Sequence, residues 1–217
     1  MVKAYITIKE SVPQINKLIK NALIEEINKK FNLNTVRELV NSIKDDIKLI
    51  LLKTPEANSL LGGELSKQFG IPSGLDDNFV KTIISTIAEN IEFKFNKMSS
   101  SGNTINGGFT FYVAKSNFSD ILALPQANIT TEKGQTLPWL KWLLFDGDRI
   151  IISKHSLIFV PQASRSHSYI MINNNGGFWK VPAEFSGTVK NNWITRALDE
   201  KTNNISKIIA AKLEKVF

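Results

Sequence analysis

The sequence predicts an α+β fold, in which a helical N-terminal layer packs on a small, mostly antiparallel sheet and a C-terminal helix closes the unit. Three observations carry this. Apolar residues recur at helical spacing from about residue 11 to residue 90. At Ile91 the pattern switches to a period of two, with Ile91, Phe93 and Phe95 alternating with Glu92, Lys94 and Asn96, as a half-buried strand requires. The last residues return to helical spacing, with Ile208, Ile209, Leu213 and Val216 on one face. A chain of 217 residues, 42% of them hydrophobic, can fill one core, so the expected organisation is a helical region over 1–90 and an α+β core with its closing helix over 91–217, in one continuous globular unit.

Each element follows in order. Ser11-Val12-Pro13-Gln14 reads as a capping box with Pro in the first turn, and Ile15, Leu18, Ile19, Ala22, Leu23 and Ile27 form a stripe up to Asn32. A second box, Thr35-Val36-Arg37-Glu38, opens a helix from Val36 to about Lys53, which Pro55 ends. A short polar connection predicts that these two helices pack antiparallel. A Gly-interrupted helix over 55–68 ends at Gly70, and Asp76 or Asp77 caps a helix over 79–90 whose buried face is Val80, Ile83, Ile84 and Ile87.

Beyond residue 90 the expected strands are 91–97, 109–113, 149–160 and 169–182. The polar stretch 99–108 reads as a long loop, and Asn173-Asn174-Asn175-Gly176-Gly177 as a turn. Short helices are expected over 117–124, 137–145 and 191–198, and Asn203 or Asn204 caps the last one.

Composition excludes several function classes. The chain has no cysteine, which removes disulfides, thiolate nucleophiles and Cys-based metal sites. No apolar run approaches the roughly 20 residues a membrane-spanning helix needs, so no membrane partner is expected. Met1-Val2-Lys3-Ala4-Tyr5 alternates apolar and polar residues, which predicts no secretory signal and a protein that works in the cytoplasm where it is made. A net charge of +7 and a pI near 9.5 suit nucleic acid, an acidic partner or plain solubility, and the charges are scattered.

No catalytic constellation emerges. His155 and His167 could approach one another, but a metal site needs a third ligand, with Asp146, Asp148 or Glu184 nearest, and no metal-binding spacing is present. Ser156, Ser164, Ser166 and Ser168 lie near these histidines without a nucleophile elbow. The glycine pairs at 62–63, 107–108 and 176–177 match no phosphate-binding loop. The expectation is a non-enzyme with no cofactor and no metal. Arg149, Lys154, Arg165 and His167 form a cationic region able to meet phosphate, which keeps non-specific nucleic-acid binding as the alternative function. Trp139, Trp142, Trp179 and Trp193 all fall in the second half, where core packing is the default and an interface role the alternative.

Two segments, Leu137-Pro138-Trp139-Leu140-Lys141-Trp142-Leu143-Leu144 and Phe185 through Asp199 with its Trp193, Arg196 and Ala197-Leu198, resemble virion proteins of tailed bacteriophages. The second, with the helix that follows, is similar to the end of neck and tail-completion proteins. Leu60-Leu61-Gly62-Gly63-Glu64-Leu65 and Gln68-Phe69-Gly70-Ile71-Pro72 resemble the N-terminal part of phage structural proteins. The likeness covers mainly residues 55–72 and 137–217. It implies a structural subunit of a homo-oligomeric ring at the head–tail junction, of neck, tail-completion or tail-terminator type. Six-fold symmetry is expected, with a portal-side or connector protein and a tail protein as neighbours and DNA passing through the channel unread. The protein would reside in the virion after assembly in the host cytoplasm. Arg149, Lys154, Arg165, His167, Trp179, Trp193 and Arg196 are then candidates for the interface or the lumen, as are the loops 99–108 and 161–168.

Overall fold

A computed structural model describes residues 11–72, 74–102, 104–112, 118–130, 134–160 and 169–215, and these form an α+β fold. The first long helix, α1 (Val12–Lys30), begins at Ser11, whose backbone N–H and hydroxyl both donate to Gln14 Oε1 at 2.8 and 2.9 Å. The second, α2 (Leu33–Leu52), starts three residues before the expected position. Asn32 caps it by accepting from the backbone N–H groups of Asn34 and Thr35, both at 3.0 Å, and this pre-empts the Thr35 box. Two short helices, α3 (Pro55–Leu60) and α4 (Glu64–Phe69), follow, and Gly70 at φ 73° ends the second in the left-handed region. Next comes α5 (Asp76–Glu89), capped at Leu75 rather than at an aspartate.

Among the described residues the strands do not join into one sheet. They form three separate two-stranded antiparallel pairs. The first ribbon pairs β1 (Glu92–Ser101) with β2 (Thr104–Tyr112), so most of the stretch expected as a loop over 99–108 is ladder. Its register slips between Asn96 and Ser99, and the Asn28 side chain of α1 fills the gap. Its amide donates to Met98 O at 3.0 Å and its oxygen accepts from Met98 N at 2.9 Å. A third strand, β3 (Ile129–Thr130), pairs with β4 (Thr136–Leu137). The third ribbon pairs β5 (Ile152–Phe159) with β6 (Tyr169–Trp179).

Between the pairs Ser153–Phe178 and His155–Asn173, the single residue Lys154, at φ 60°, faces four residues, Asn174 to Gly177. The expected turn at 173–177 is therefore a wide bulge inside one strand. Gly177 allows it, because a Cβ there would collide with Ser156 Oγ and lie 2.7 Å from His155 O.

Helices α6 (Ser119–Leu122), α7 (Trp139–Phe145), α8 (Trp193–Glu200) and α9 (Thr202–Glu214) complete the fold. The closing helix starts at Thr202, ahead of the expected asparagine caps. One core joins Leu39, Ile43, Ile47 and Leu51 of α2 to Val80, Ile83, Ile84 and Ile87 of α5, and to Trp139, Leu140, Leu143 and Leu144 of α7. Phe31 seats the first ribbon through Phe95 and Phe109, with ring centroids 5.5 and 4.9 Å away. The expected antiparallel pairing of α1 with α2 gives way to packing of α1 along β1.

Candidate assembly surfaces

Residues 137–148 and 185–199 fold into one junction. Gly187 O accepts from Gly147 N at 3.3 Å, and Ser186 Oγ donates to Asp148 Oδ1 at 2.9 Å. A Cβ on Gly187 would lie 2.6 Å from Leu143 O, so the chain after β6 runs tightly against α7. Asn192 then caps α8. Its fully buried side chain accepts from Ile194 N and Thr195 N and donates to Thr188 O at 3.1 Å, while Thr195 Oγ1 accepts from Asn192 N at 2.9 Å.

Two side chains on α8 lock this junction to α3. Trp193 is fully buried and its Nε1 donates to Thr54 Oγ1 at 2.7 Å. Arg196 Nη2 donates to Glu56 Oε1 at 2.7 Å and to Phe185 O at 3.3 Å, and its Nη1 donates to Ser186 O at 3.0 Å. Trp179 is buried too, with Nε1 on Gln68 Oε1 at 3.1 Å and its ring against Phe69 and Trp142. Trp179 and Trp193, expected at an interface or lumen, are therefore buried, and Arg196, expected there too, is half-buried and bonded within the chain. Their partners lie in residues 54–69, more than a hundred positions away, which no local pattern reveals.

The cationic candidates divide. Arg149 is exposed, with Nη1 3.5 Å from Asp146 Oδ1. Lys154 is exposed on the bulge of the third ribbon. Arg165, His167, Ser164, Ser166, Ser168 and the stretch 161–168 lie outside the described residues. His155 Nδ1 sits 3.0 Å from Ser153 O, and Ser156 Oγ accepts from Asn174 Nδ2 at 3.0 Å, so these two groups serve the ribbon. Asp148 is held by Ser186. Among the described residues no three of His, Asp or Glu gather to hold a metal ion.

The geometry instead marks three apolar surfaces. On α1, Val12, Leu18, Ile19 and Leu23 are 71%, 60%, 61% and 49% exposed, and no residue of this helix is fully buried. The stripe expected to pack inside the chain faces outward. On the third ribbon, Ile158, Phe159, Met171, Ile172 and Phe178 are exposed, whereas Ile152, Leu157 and Trp179 reach the core. A groove of about 250 Å³ between α2, the first ribbon and α9 is lined by Leu39, Ile43, Phe93, Phe109, Ile209 and Leu213. Periodicity had found the α1 stripe but not its orientation; the exposed ribbon residues Phe178 and Lys180 escaped it, although the lack of any carboxylate between Asp148 and Glu184 is visible in the sequence.

The Glu89 carboxyl is held below its ordinary titration range by a hydrogen bond from Lys44 Nζ at 2.8 Å. It braces α5 against α2. No helix among the described residues is long and apolar enough to cross a membrane. No family model matches the chain, and it matches no curated protein and no solved structure.

Proposed function

We propose that this chain is a structural subunit of a ring at the head–tail junction of a tailed bacteriophage, of neck, tail-completion or tail-terminator type. The observation that carries the reading is the outward stripe of α1. Four large apolar side chains on one 19-residue helix stay in water in the isolated chain, and a contiguous apolar surface of this kind marks a protein contact. The third ribbon offers a second apolar surface on a different element. Two unlike surfaces on one subunit suit head-to-tail contacts, which close into a ring when the rotation allows. The junction of the two phage-like segments supports the same reading, because residues 137–144 and 185–199 form one packed unit.

In this reading six copies form the ring, portal-side and tail-side proteins stack on its two faces, and DNA passes through without being read. The assembled virion is its place of work, and its role is mechanical joining rather than catalysis. The test is light scattering over a concentration series, followed by sedimentation with DNA-filled heads and with tails. A mass several times 24.3 kDa, lost on Leu18→Asp with Leu23→Asp, is the expected result. A chain that stays at 24.3 kDa throughout and sediments with neither heads nor tails would overturn the proposal.

A further inference from the structure

The third ribbon combines features that the ring reading leaves unused. Residues 149–183 hold four of the chain's 27 cations, Arg149, Lys154, Arg165 and Lys180, and none of its 20 carboxylates. In the fold this segment supplies β5 and β6, which pair with each other; Ile152, Leu157 and Trp179 seat the ribbon on the core while its outer residues stay exposed. The outer surface near its root carries Phe178 at 57% exposure, and Lys180, also exposed, lies two positions on, one residue past the end of β6. Trp179 between them points into the core. Ser153 faces Phe178, and the next residue is Lys154, exposed at the bulge. Across that bulge Asn173, Asn174 and Asn175 are all exposed. Neither Lys154 nor Lys180 forms an ion pair with a described carboxylate, whereas Arg149 is partly neutralised by Asp146.

We infer that the β5–β6 ribbon is a binding surface for the backbone of duplex DNA, with Lys154 and Lys180 as phosphate contacts. Three physical facts converge on this partner. A two-stranded ribbon fits the major groove, which is about 12 Å wide. A segment with cations and no carboxylate is complementary to a polyanion. By contrast the rest of the chain, with 20 carboxylates against 23 cations, offers no comparable negative field to attract a second copy. The exposed amide of Asn175 supplies a further donor to phosphate oxygens, and Phe178 supplies an apolar contact at the groove wall. No base-specific pairing follows, so the contact is independent of sequence. The inference goes beyond the ring reading and does not depend on it.

Fluorescence anisotropy of a labelled mixed-sequence duplex of about 20 base pairs, titrated with the full chain from 50 to 200 mM salt, tests it. Lys154→Asn with Lys180→Gln removes both charges and keeps a residue that tolerates positive φ at the bulge. The expected results are salt-sensitive binding and a salt slope that falls in magnitude by about 2 in the double variant, at about 0.9 per lost phosphate contact. Lys190→Gln, an exposed cation outside the ribbon, is the control and should bind like the parent with a slope lower by less than 1. Phe178→Ala should weaken binding and leave the slope unchanged. No binding at 50 mM salt would overturn the inference, as would an unaltered slope in a folded double variant or tighter binding to a single strand than to the duplex. A double variant that binds DNA normally but changes the solution mass would assign the ribbon to contact between copies and overturn it equally. A monomeric chain that still shows the slope change would sink the ring reading alone.

Discussion

Replacing Arg196 by Met removes the guanidinium that links α8 to α3 and leaves the Glu56 carboxylate, whose side chain is 8% exposed, without its cation. Removing one partner of a buried pair typically costs about 3–5 kcal/mol, because the remaining charge is uncompensated. Here the arginine side chain is 26% exposed, so water enters the site and the lower end applies. Two carbonyls, Phe185 O and Ser186 O, also lose their donor, and solvent recovers part of each bond. The expected loss is about 3 kcal/mol. For a chain of this size that corresponds to a fall in Tm of about 6–12 °C. The companion Glu56→Gln with Arg196→Met takes away the stranded charge and should recover at least about 1 kcal/mol of the loss. Urea unfolding followed by Trp fluorescence reads both, with m unchanged if the effect is local. A single variant within about 1 kcal/mol of the parent, or a double variant less stable than the single, would refute the argument that Arg196 is a structural clamp.

Two further outcomes follow from other contacts. Trp193→Phe deletes the bond to Thr54 Oγ1 and leaves a void beside α3, so it should cost about 2–3 kcal/mol in urea while Trp179→Phe, which loses its bond to Gln68 at a site 7% exposed, costs less; a Trp193→Phe loss no larger than that of Trp179→Phe would contradict this ranking. Glu89→Gln should change stability at neutral pH only slightly, since the carboxylate is 62% exposed. The sign is fixed by its lowered titration: the ionised form is favoured in the folded chain, so its contribution is present above the ordinary carboxylate range and disappears as the pH falls through the folded value. The parent and Glu89→Gln stability curves should therefore converge at acid pH, and curves that diverge there in a pH series of urea midpoints would contradict the Lys44 contact.

The helical layer was legible because its signals are local. The stripes of α2 and α5 and the break at Ile91 each depend on neighbours within four residues, and each reappears in the fold. The start of α2 was misplaced because two capping candidates stood three residues apart, and Asn32 satisfies two backbone donors at once. The apolar parts of the long ribbons were legible as strands, but their polar extensions were not. Ser99–Ser101 and Asn173–Gly177 are polar, the latter with two glycines, so no alternation marks them as strand; the first pairs across its ribbon and the second bulges within its strand. The same holds for the candidate surfaces. A sequence shows that a helix has an apolar face, as α1 does, but what covers that face is settled by the rest of the chain, and here nothing among the described residues buries it. Trp193 and Arg196 read as outward residues because their complements, Thr54 and Glu56, lie far upstream.

The amide of Asn28 has a consequence for geometry at a distance. It docks α1 on the first ribbon by gripping both backbone groups of Met98, where the register of the ladder slips. A helix turns by about 100° per residue. Sliding α1 by a single position against that grip would swing Leu18, Ile19 and Leu23 through more than a quarter turn, away from any neighbour they were set to meet. One polar side chain thus works as an indexing pin, and the bearing of the whole apolar stripe is set from Met98.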